Sequence, residues 1–122
     1  MQIGNDIIEI SRVKNLIEKH GEFCKGRIFT EKEWQYCSSM ASPYASFAAR
    51  FAGKEAVAKA LGTGFGEYLN WNSIEILNED NGAPYVQLDE KGKNLLKNLN
   101  SKTVKISLSH CRDFAVAVAL IE

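Results

Sequence analysis

The two ends of the chain carry the clearest strand patterns. Residues 3–10 are rich in isoleucine and are interrupted by Asp6, which predicts a β-strand. Residues 104–109 and Phe114–Ile121 predict two further strands, joined by residues 110–113. Along Phe114–Ile121 bulky apolar residues alternate mainly with alanine, so both faces of this strand are apolar. We expect both faces to be covered, the shallow alanine face by a closely packed helix or by another subunit.

The middle of the chain has the pattern of a long helix. Ser42 is a good N-cap, Pro43 suits the first helical position and Gly62 suits the end, which predicts a helix over residues 43–61. Apolar residues at helical spacing form one stripe along this helix, made by Phe47, Phe51, Ala58 and Leu61.

Shorter elements fill the rest of the chain. Ser11 can cap a short helix that stops at Gly21, and Thr30 with Glu33 forms a capping box that opens a second one. The pattern further predicts a strand at residues 72–77, a turn at 81–82, a strand at 84–88 and a helix at 90–99. Helices and strands mix without a regular βαβ period, so we predict the α+β class.

The composition argues against several broad classes of protein. A length of 122 residues suits a single domain over residues 1–122. Fifteen Lys and Arg balance fifteen Asp and Glu, so no overall charge favours nucleic acid or an anionic membrane. The longest apolar run is too short to span a membrane, and the first residues lack a signal-peptide pattern. The three cysteines have no metal-ligand spacing, so we expect reduced thiols and a cytoplasmic location.

Four polar residues are candidates for chemistry. Asp6 interrupts an apolar strand, where a carboxylate is costly unless it is paired, hydrated or bound to a cation. Glu55 and Lys59 are neighbours on the surface of the long helix, although an ordinary stabilising helix pair has the same spacing. His110 follows a strand, where binding groups are common, although a single histidine there is more often structural.

Arg50 and Lys54 form a second pair on the same helix. Like charges four residues apart do not stabilise each other, so the pair favours a nearby anion, with solvated surface charges as the alternative. The glycine-rich residues 62–66 follow the helix instead of preceding one, which indicates a helix end and a turn and not a Walker A loop. GxSxG, HExxH, GxGxxG and paired CxxC motifs are absent, so hydrolase, zincin, dinucleotide-binding and zinc-module functions lack sequence support.

Four segments of the chain form a recognisable set: residues 4–10 with Arg12, residues 27–33, residues 50–64 and residues 107–110. Together they resemble the small holo-acyl-carrier-protein synthase family of phosphopantetheinyl transferases. Their order and spacing match the family from end to end, and residues 81–86 also resemble its hairpin. The resemblance implies a phosphopantetheinyl transferase-like fold, with one long helix packed on a mostly antiparallel sheet.

The resemblance also implies an activity and a cofactor. The activity is transfer of 4′-phosphopantetheine from coenzyme A to a serine of apo-acyl carrier protein, in support of fatty acid biosynthesis. Asp6 and Glu55 would hold Mg²⁺ with the pyrophosphate of coenzyme A, and this ion does prefer carboxylate, phosphate and water oxygens. Glu55, directly or through a metal-bound water, would take the serine proton, and Lys59 would stabilise or protonate the leaving adenosine 3′,5′-bisphosphate. Further phosphate contacts would come from Arg50, Lys54 and His110.

Partners follow from the same resemblance. It implies a homotrimer with active sites between subunits, and docking of an acidic carrier protein at Arg12, with Lys14 beside it. Asn5, Gly53 and Cys111 depart from the family pattern; Gly53 could weaken the long helix by up to about 1 kcal/mol, and Cys111 replaces a hydroxyl that could contact phosphate. Two alternatives are a binding module without turnover, which the intact acidic residues argue against, and a broad-specificity transferase, which is usually two fused copies of this unit.

Overall fold

The computed structural model describes residues 1–122 and contains four α-helices and five β-strands. Helices are mixed with antiparallel strands, so the predicted α+β class is confirmed. No helix combines the length and the apolar character needed to cross a membrane. In chain order the elements are β1 (Gln2–Glu9), α1 (Ile10–Arg27), α2 (Glu31–Ser38), α3 (Pro43–Leu61), a 3-10 turn (Trp71–Ser73), β2 (Ile74–Asn78), β3 (Pro84–Leu88), α4 (Glu90–Asn98), β4 (Val104–His110) and β5 (Phe114–Ile121).

The strands form two antiparallel sheets. The larger has the order β1–β5–β4, so β5 is central, with Asp6 opposite Ala117 and Ile7 opposite Val116. The smaller sheet is the predicted hairpin of β2 and β3, in which Gly82 has a positive φ of 92°. Helix α3 packs against all three strands of the larger sheet and against β2 of the smaller one. This helix therefore lies at the centre of the core.

Helix α3 begins and ends where the sequence predicts. Pro43 occupies the first helical position, and Gly62 ends the helix in the left-handed conformation. The predicted single apolar stripe is too narrow, because residues on every side of the helix are buried. Strand β1 makes a very close approach to it: a Cβ placed on Gly4 would come within 2.1 Å of the carbonyl oxygen of Ala56. Only glycine at this position lets the strand lie directly on the helix.

The central strand β5 has one covered face and one open face. Its alanines, Ala115, Ala117 and Ala119, are fully buried beneath α3. Of the two covers expected for the alanine face, a helix or another subunit, the structure shows the helix, which belongs to the same chain. The opposite face stays exposed, with Val118 40% accessible and Phe114 42% accessible. The prediction that both faces are covered is not met within one chain.

Helix α1 differs from its predicted form. It starts at Ile10 after Glu9, so Ser11 lies inside the helix and does not cap it. Helical geometry breaks at His20, one residue before the predicted stop at Gly21, then resumes and breaks again at Lys25 and Gly26. Because α1 has 18 residues and α3 has 19, the fold contains two long helices, one of them kinked, where one was expected.

The remaining elements largely follow the predicted pattern. The capping box of α2 is present, with the Thr30 hydroxyl accepting a hydrogen bond from the Glu33 N–H and the Glu33 carboxylate accepting one from the Thr30 N–H. Strand β2 begins two residues later than predicted, because the side chains of Asn70 and Ser73 close a 3-10 turn before it. Asp89 caps α4 by accepting a hydrogen bond from the Gly92 N–H.

Candidate active site

Asp6, Glu55 and Lys59 meet where β1 crosses α3. Asp6 belongs to the face of β1 that contains the buried Gly4 and Ile8, so it is directed toward the helix. Lys59, on the last turn of α3, donates to the Asp6 carboxylate over 3.1 Å and to the main-chain oxygen of Asn5 over 2.9 Å. The Asp6 side chain is only 18% exposed, whereas that of Lys59 is 53% exposed. The predicted grouping of these residues is therefore realised in the fold.

Glu55 lies one helical turn before Lys59 and has a perturbed carboxyl group. Partial burial raises the pKa of Glu55 above its ordinary value, the negative charge of Asp6 raises it further, and the positive charge of Lys59 opposes the shift. The ion pairs of the chain do not include Glu55. A carboxyl group whose pKa is raised by a neighbouring carboxylate forms, with that neighbour, a site that a cation would stabilise.

The chemistry of these donors fits a magnesium ion. Mg²⁺ is held in enzymes by one or two carboxylates, with substrate phosphate and water supplying the other oxygens. Asp6 and Glu55 provide that number, and no group of three or more His, Cys, Asp and Glu side chains forms a closed metal cage. Lys59 already contributes a positive charge at this position. The site is therefore suited to a metal shared with a phosphate-containing ligand.

Arg50 and His110 line a separate cavity of about 380 Å³ between α3, α2 and the ends of β2 and β4. Arg50 is 5% exposed, and its guanidinium lies 4.6 Å from the ring centre of Tyr36. It donates to Ser46 over 3.4 Å and to the side-chain oxygen of Asn78, while its Nε has no partner. A buried guanidinium with an unused donor beside a cavity is suited to an anion.

The cavity and the carboxylate site lie on different sides of α3. Arg50 and Glu55 are five residues apart, which places them about 140° apart around the helix axis. Arg50 contacts α2 and β2, whereas Glu55 lies beside Asp6 of β1. One chain therefore does not bring Arg50 and His110 together with Asp6 and Glu55.

The placement of Lys54 contradicts its predicted contact with phosphate. Its ammonium is fully buried and forms an ion pair of 2.8 Å with Glu33, which is also fully buried. It further donates to the main-chain oxygens of Trp71, over 3.1 Å, and Ile74, over 2.7 Å. These partners use all three of its N–H donors. Burial lowers the pKa of Lys54, and the charge of Glu33 opposes that effect.

The two predicted docking residues lie on helix α1. Arg12 and Lys14 are both exposed. The Lys14 ammonium lies 5.6 Å from the ring centre of Tyr44, and Lys14 lines a cleft together with Arg112 and His110. Arg112 therefore adds a positive charge next to Lys14 that the sequence pattern had not singled out.

Glu33 has a larger structural role in the fold than the sequence analysis assigned to it. It appeared only as the second half of a capping box. In the fold one of its carboxylate oxygens binds Lys54 and the Thr30 N–H, and the other accepts from the Ile76 N–H over 2.9 Å. Glu33 thereby joins α2, α3 and β2. The available signal was the unpaired positive charge at Lys54, which needs a buried partner if it faces the core.

Comparisons with known proteins identify a family for this chain. Residues 2–119 match the family model of the 4′-phosphopantetheinyl transferase superfamily. The holo-(acyl-carrier-protein) synthase of Chlamydia caviae is 50% identical over 97% of this chain and 93% of its own length. That of Chloroherpeton thalassium is 48% identical over 100% of this chain and 98% of its own.

Solved structures give the same result. The holo-(acyl-carrier-protein) synthase of Neisseria meningitidis is 31% identical and superposes with a TM-score of 0.89, covering 99% of this chain and 97% of that one. The Helicobacter pylori synthase, in complex with coenzyme A, is 29% identical with a TM-score of 0.86, covering 98% and 99%. The chain belongs to the 4′-phosphopantetheinyl transferase superfamily. The resemblance inferred from the sequence, and the enzyme class and fold that it implied, are confirmed.

Proposed function

We propose that this chain transfers 4′-phosphopantetheine from coenzyme A to a serine of apo-acyl carrier protein. A bond forms between the serine oxygen and the β-phosphorus of coenzyme A, and the bond from that phosphorus to the bridging oxygen breaks. The products are holo-carrier protein and adenosine 3′,5′-bisphosphate. The observation that carries this proposal is the cluster of Asp6, Glu55 and Lys59 in a chain of this family.

Asp6 and Glu55 are the residues that would hold Mg²⁺. When bound, the ion would neutralise charge on the diphosphate of coenzyme A and favour its alignment for in-line attack. Glu55 accepts the serine proton, directly or through a water. Lys59 reaches the same site from the last turn of α3 and stabilises the departing phosphate oxygen, or protonates it.

Arg50 and His110 provide further phosphate contacts. Arg50 and the exposed His110 line one cavity, so an anionic part of coenzyme A can contact both. Arg50 is always charged, and its position is fixed by Tyr36 and Asn78. Lys54 is excluded from this role, because its donors are used inside the core.

A homotrimer accounts for two features of the single chain. The open face of the larger sheet exposes apolar side chains from two adjacent strands, including Ile7, 63% exposed, opposite Val116. Contiguous apolar surface of this kind marks an interface. The two groups of phosphate-binding residues lie on different sides of α3, so a site that uses both is completed by a neighbouring subunit. Apolar residues on this face are Ile3, Ile7, Phe114, Val116 and Val118.

The carrier protein is expected to bind the basic side of α1. Arg12 and Lys14 are exposed there, and Arg112 lies beside Lys14. Because the net charge of the chain is zero, attraction for an acidic carrier protein must come from such a local patch. The activity would serve fatty acid biosynthesis in the cytoplasm, where the unpaired thiols of Cys24, Cys37 and Cys111 stay reduced.

The test uses intact-mass analysis. Apo-acyl carrier protein incubated with this protein, coenzyme A and Mg²⁺ should gain the mass of one phosphopantetheine group. A carrier whose acceptor serine is replaced by alanine should gain nothing, and neither should a reaction containing a chelator. If the wild-type carrier gains no mass under conditions in which coenzyme A binds, the chain is a binding module and the proposed transfer is wrong.

A further inference from the structure

Lys59 neutralises Asp6, one of the two carboxylates that would hold the metal. Its Nζ lies 3.1 Å from Oδ1 of Asp6 and 2.9 Å from the main-chain oxygen of Asn5. The Asp6 side chain is largely buried, which leaves few directions from which a cation can reach its oxygens. An ammonium and a metal ion therefore compete for the same carboxylate.

The charges of the three side chains are incompletely balanced without a metal. Asp6 and Glu55 contribute two negative charges when ionised, and Lys59 contributes one positive charge, which leaves a net charge of about −1. A divalent ion in place of the ammonium would balance both carboxylates by itself. The positive charge of Lys59 would then no longer be neutralised by either carboxylate.

We propose that Lys59 is a displaceable counter-ion of the metal site. Without metal it neutralises Asp6, and on metal binding it leaves that carboxylate while the Asn5 oxygen retains it beside the site. This inference rests on the proposed function, because it takes Asp6 and Glu55 as the ligands of Mg²⁺.

The main-chain oxygen of Asn5 limits how far the Lys59 ammonium moves when it leaves Asp6. A main-chain oxygen on β1 is fixed by the strand, so it can hold the ammonium after the contact with Asp6 is lost. The released ammonium is then free to bind a phosphate oxygen. Lys59 therefore offers its full charge to the diphosphate only after the metal has bound, which couples the two events through one side chain.

Metal titration in the absence of coenzyme A tests the competition directly. By calorimetry, Lys59→Met should bind Mg²⁺ about three- to fivefold more tightly than wild type, because no ion pair has to be broken. Lys93→Met is the matched control, since Lys93 is exposed and pairs with Glu90 at 3.9 Å on α4, away from the site. It should keep wild-type affinity. Equal affinity in all three proteins would overturn the inference and leave the metal site intact.

Amine labelling distinguishes displacement from simple repulsion. In the wild-type protein, Mg²⁺ should accelerate acetylation of Lys59, measured by peptide mass spectrometry, and leave acetylation of Lys93 unchanged. An unchanged rate at Lys59 would show that it stays on Asp6 and would overturn the inference. Absence of Mg²⁺ binding in both wild type and Lys59→Met would overturn the inference, and if coenzyme A does not restore Mg²⁺ binding the metal site is overturned as well. Tighter binding by Lys59→Met without any transfer activity in wild type would count against the proposed function alone.

Discussion

The Cα of Gly4 lies so close to the Ala56 carbonyl that a Cβ there would come within 2.1 Å of its oxygen and 2.8 Å of the Ala60 nitrogen. These are main-chain atoms of α3, which cannot move aside as a side chain can. The contact sets the distance between β1 and α3. Two residues further along the same face of β1, Asp6 reaches Lys59. A packing constraint in the core thus determines the geometry of the carboxylate site.

Gly4→Ala should therefore damage both stability and activity. We expect a loss of about 3 kcal/mol or more in the free energy of unfolding, at or beyond the upper end of ordinary overpacking, because the clash is with backbone. Urea denaturation measures this loss, and the Mg²⁺ affinity of the remaining folded protein should fall. Gly21→Ala is the control, since a Cβ there meets nothing within 4 Å. A neutral effect of Gly4→Ala would show that β1 can separate from α3 freely.

Asp6→Asn should lower the transfer rate by at least about two orders of magnitude, since it removes a charge that would hold the metal. The side-chain volume hardly changes, so the circular dichroism spectrum should stay that of wild type. Steady-state transfer to apo-carrier protein is the measurement, with Asn94→Asp on α4 as a control for a single charge change at the surface. Turnover near the wild-type rate would place the metal site elsewhere.

Glu55→Gln should stabilise the metal-free protein at neutral pH. The pKa of Glu55 is raised above its ordinary value of 4.5, so the folded state binds more protons than the unfolded state over the interval between the two values. The stability cost of ionising Glu55 therefore appears as pH rises through that interval and is complete above it. Thermal melts at pH 7 should show a higher Tm for the variant, and at pH 4 the difference should largely vanish. An equal Tm difference at both values would contradict this linkage.

The buried pair of Lys54 and Glu33 should behave as one structural unit. Lys54→Met or Glu33→Gln alone should cost about 3–5 kcal/mol, because each alters one partner of a buried ion pair and leaves the other unbalanced. The double variant should lose less than the sum of the two. Lys93→Met, which breaks an exposed pair, should change stability by less than about 1 kcal/mol. Strict additivity in denaturant unfolding would show that the two residues act independently.

Val118→Glu should prevent assembly without unfolding the chain. Val118 lies on the open face of the central strand, where a charge is tolerated by a free subunit and excluded by an apolar interface. Light scattering should give a trimer mass for wild type and a monomer mass for the variant, whose transfer activity should fall with it. Asn94→Asp should remain trimeric. A monomeric wild type with full activity would refute the trimer.

Local signals predicted much of this fold, and tertiary contacts decided the rest. The boundaries of α3 follow from Pro43 and Gly62, and the capping box at Thr30 follows from two residues three apart, so each could be recognised from short segments. Lys54 could not be placed in this way, because its partner Glu33 lies in another helix. Helical spacing shows which residues share a side of α3, but not whether that side meets solvent or the core.

The same limit applies to the sheet and to the site. The alternation in β5 correctly predicted two apolar faces, yet it could not indicate that α3 covers the alanine face and leaves Val118 open. Asp6 and Glu55 were predicted together through the family resemblance, since their separation in sequence hides the electrostatic interaction between them. Gly53 lies where α3 packs against β2 and β4. A Cβ at Gly53 would come within 2.5 Å of the Ile76 side chain.

The position of β5 between β1 and β4 has a consequence for synthesis of the protein on the ribosome. Strand β1 is translated before the other elements described here, but its only partner in the sheet is Phe114–Ile121. Until the chain has been translated through Ile121, β1 has no strand to pair with, and Asp6 has no sheet to hold it against α3. The acidic site therefore cannot be assembled on a nascent chain that stops short of β5, and premature termination there removes the centre of the sheet.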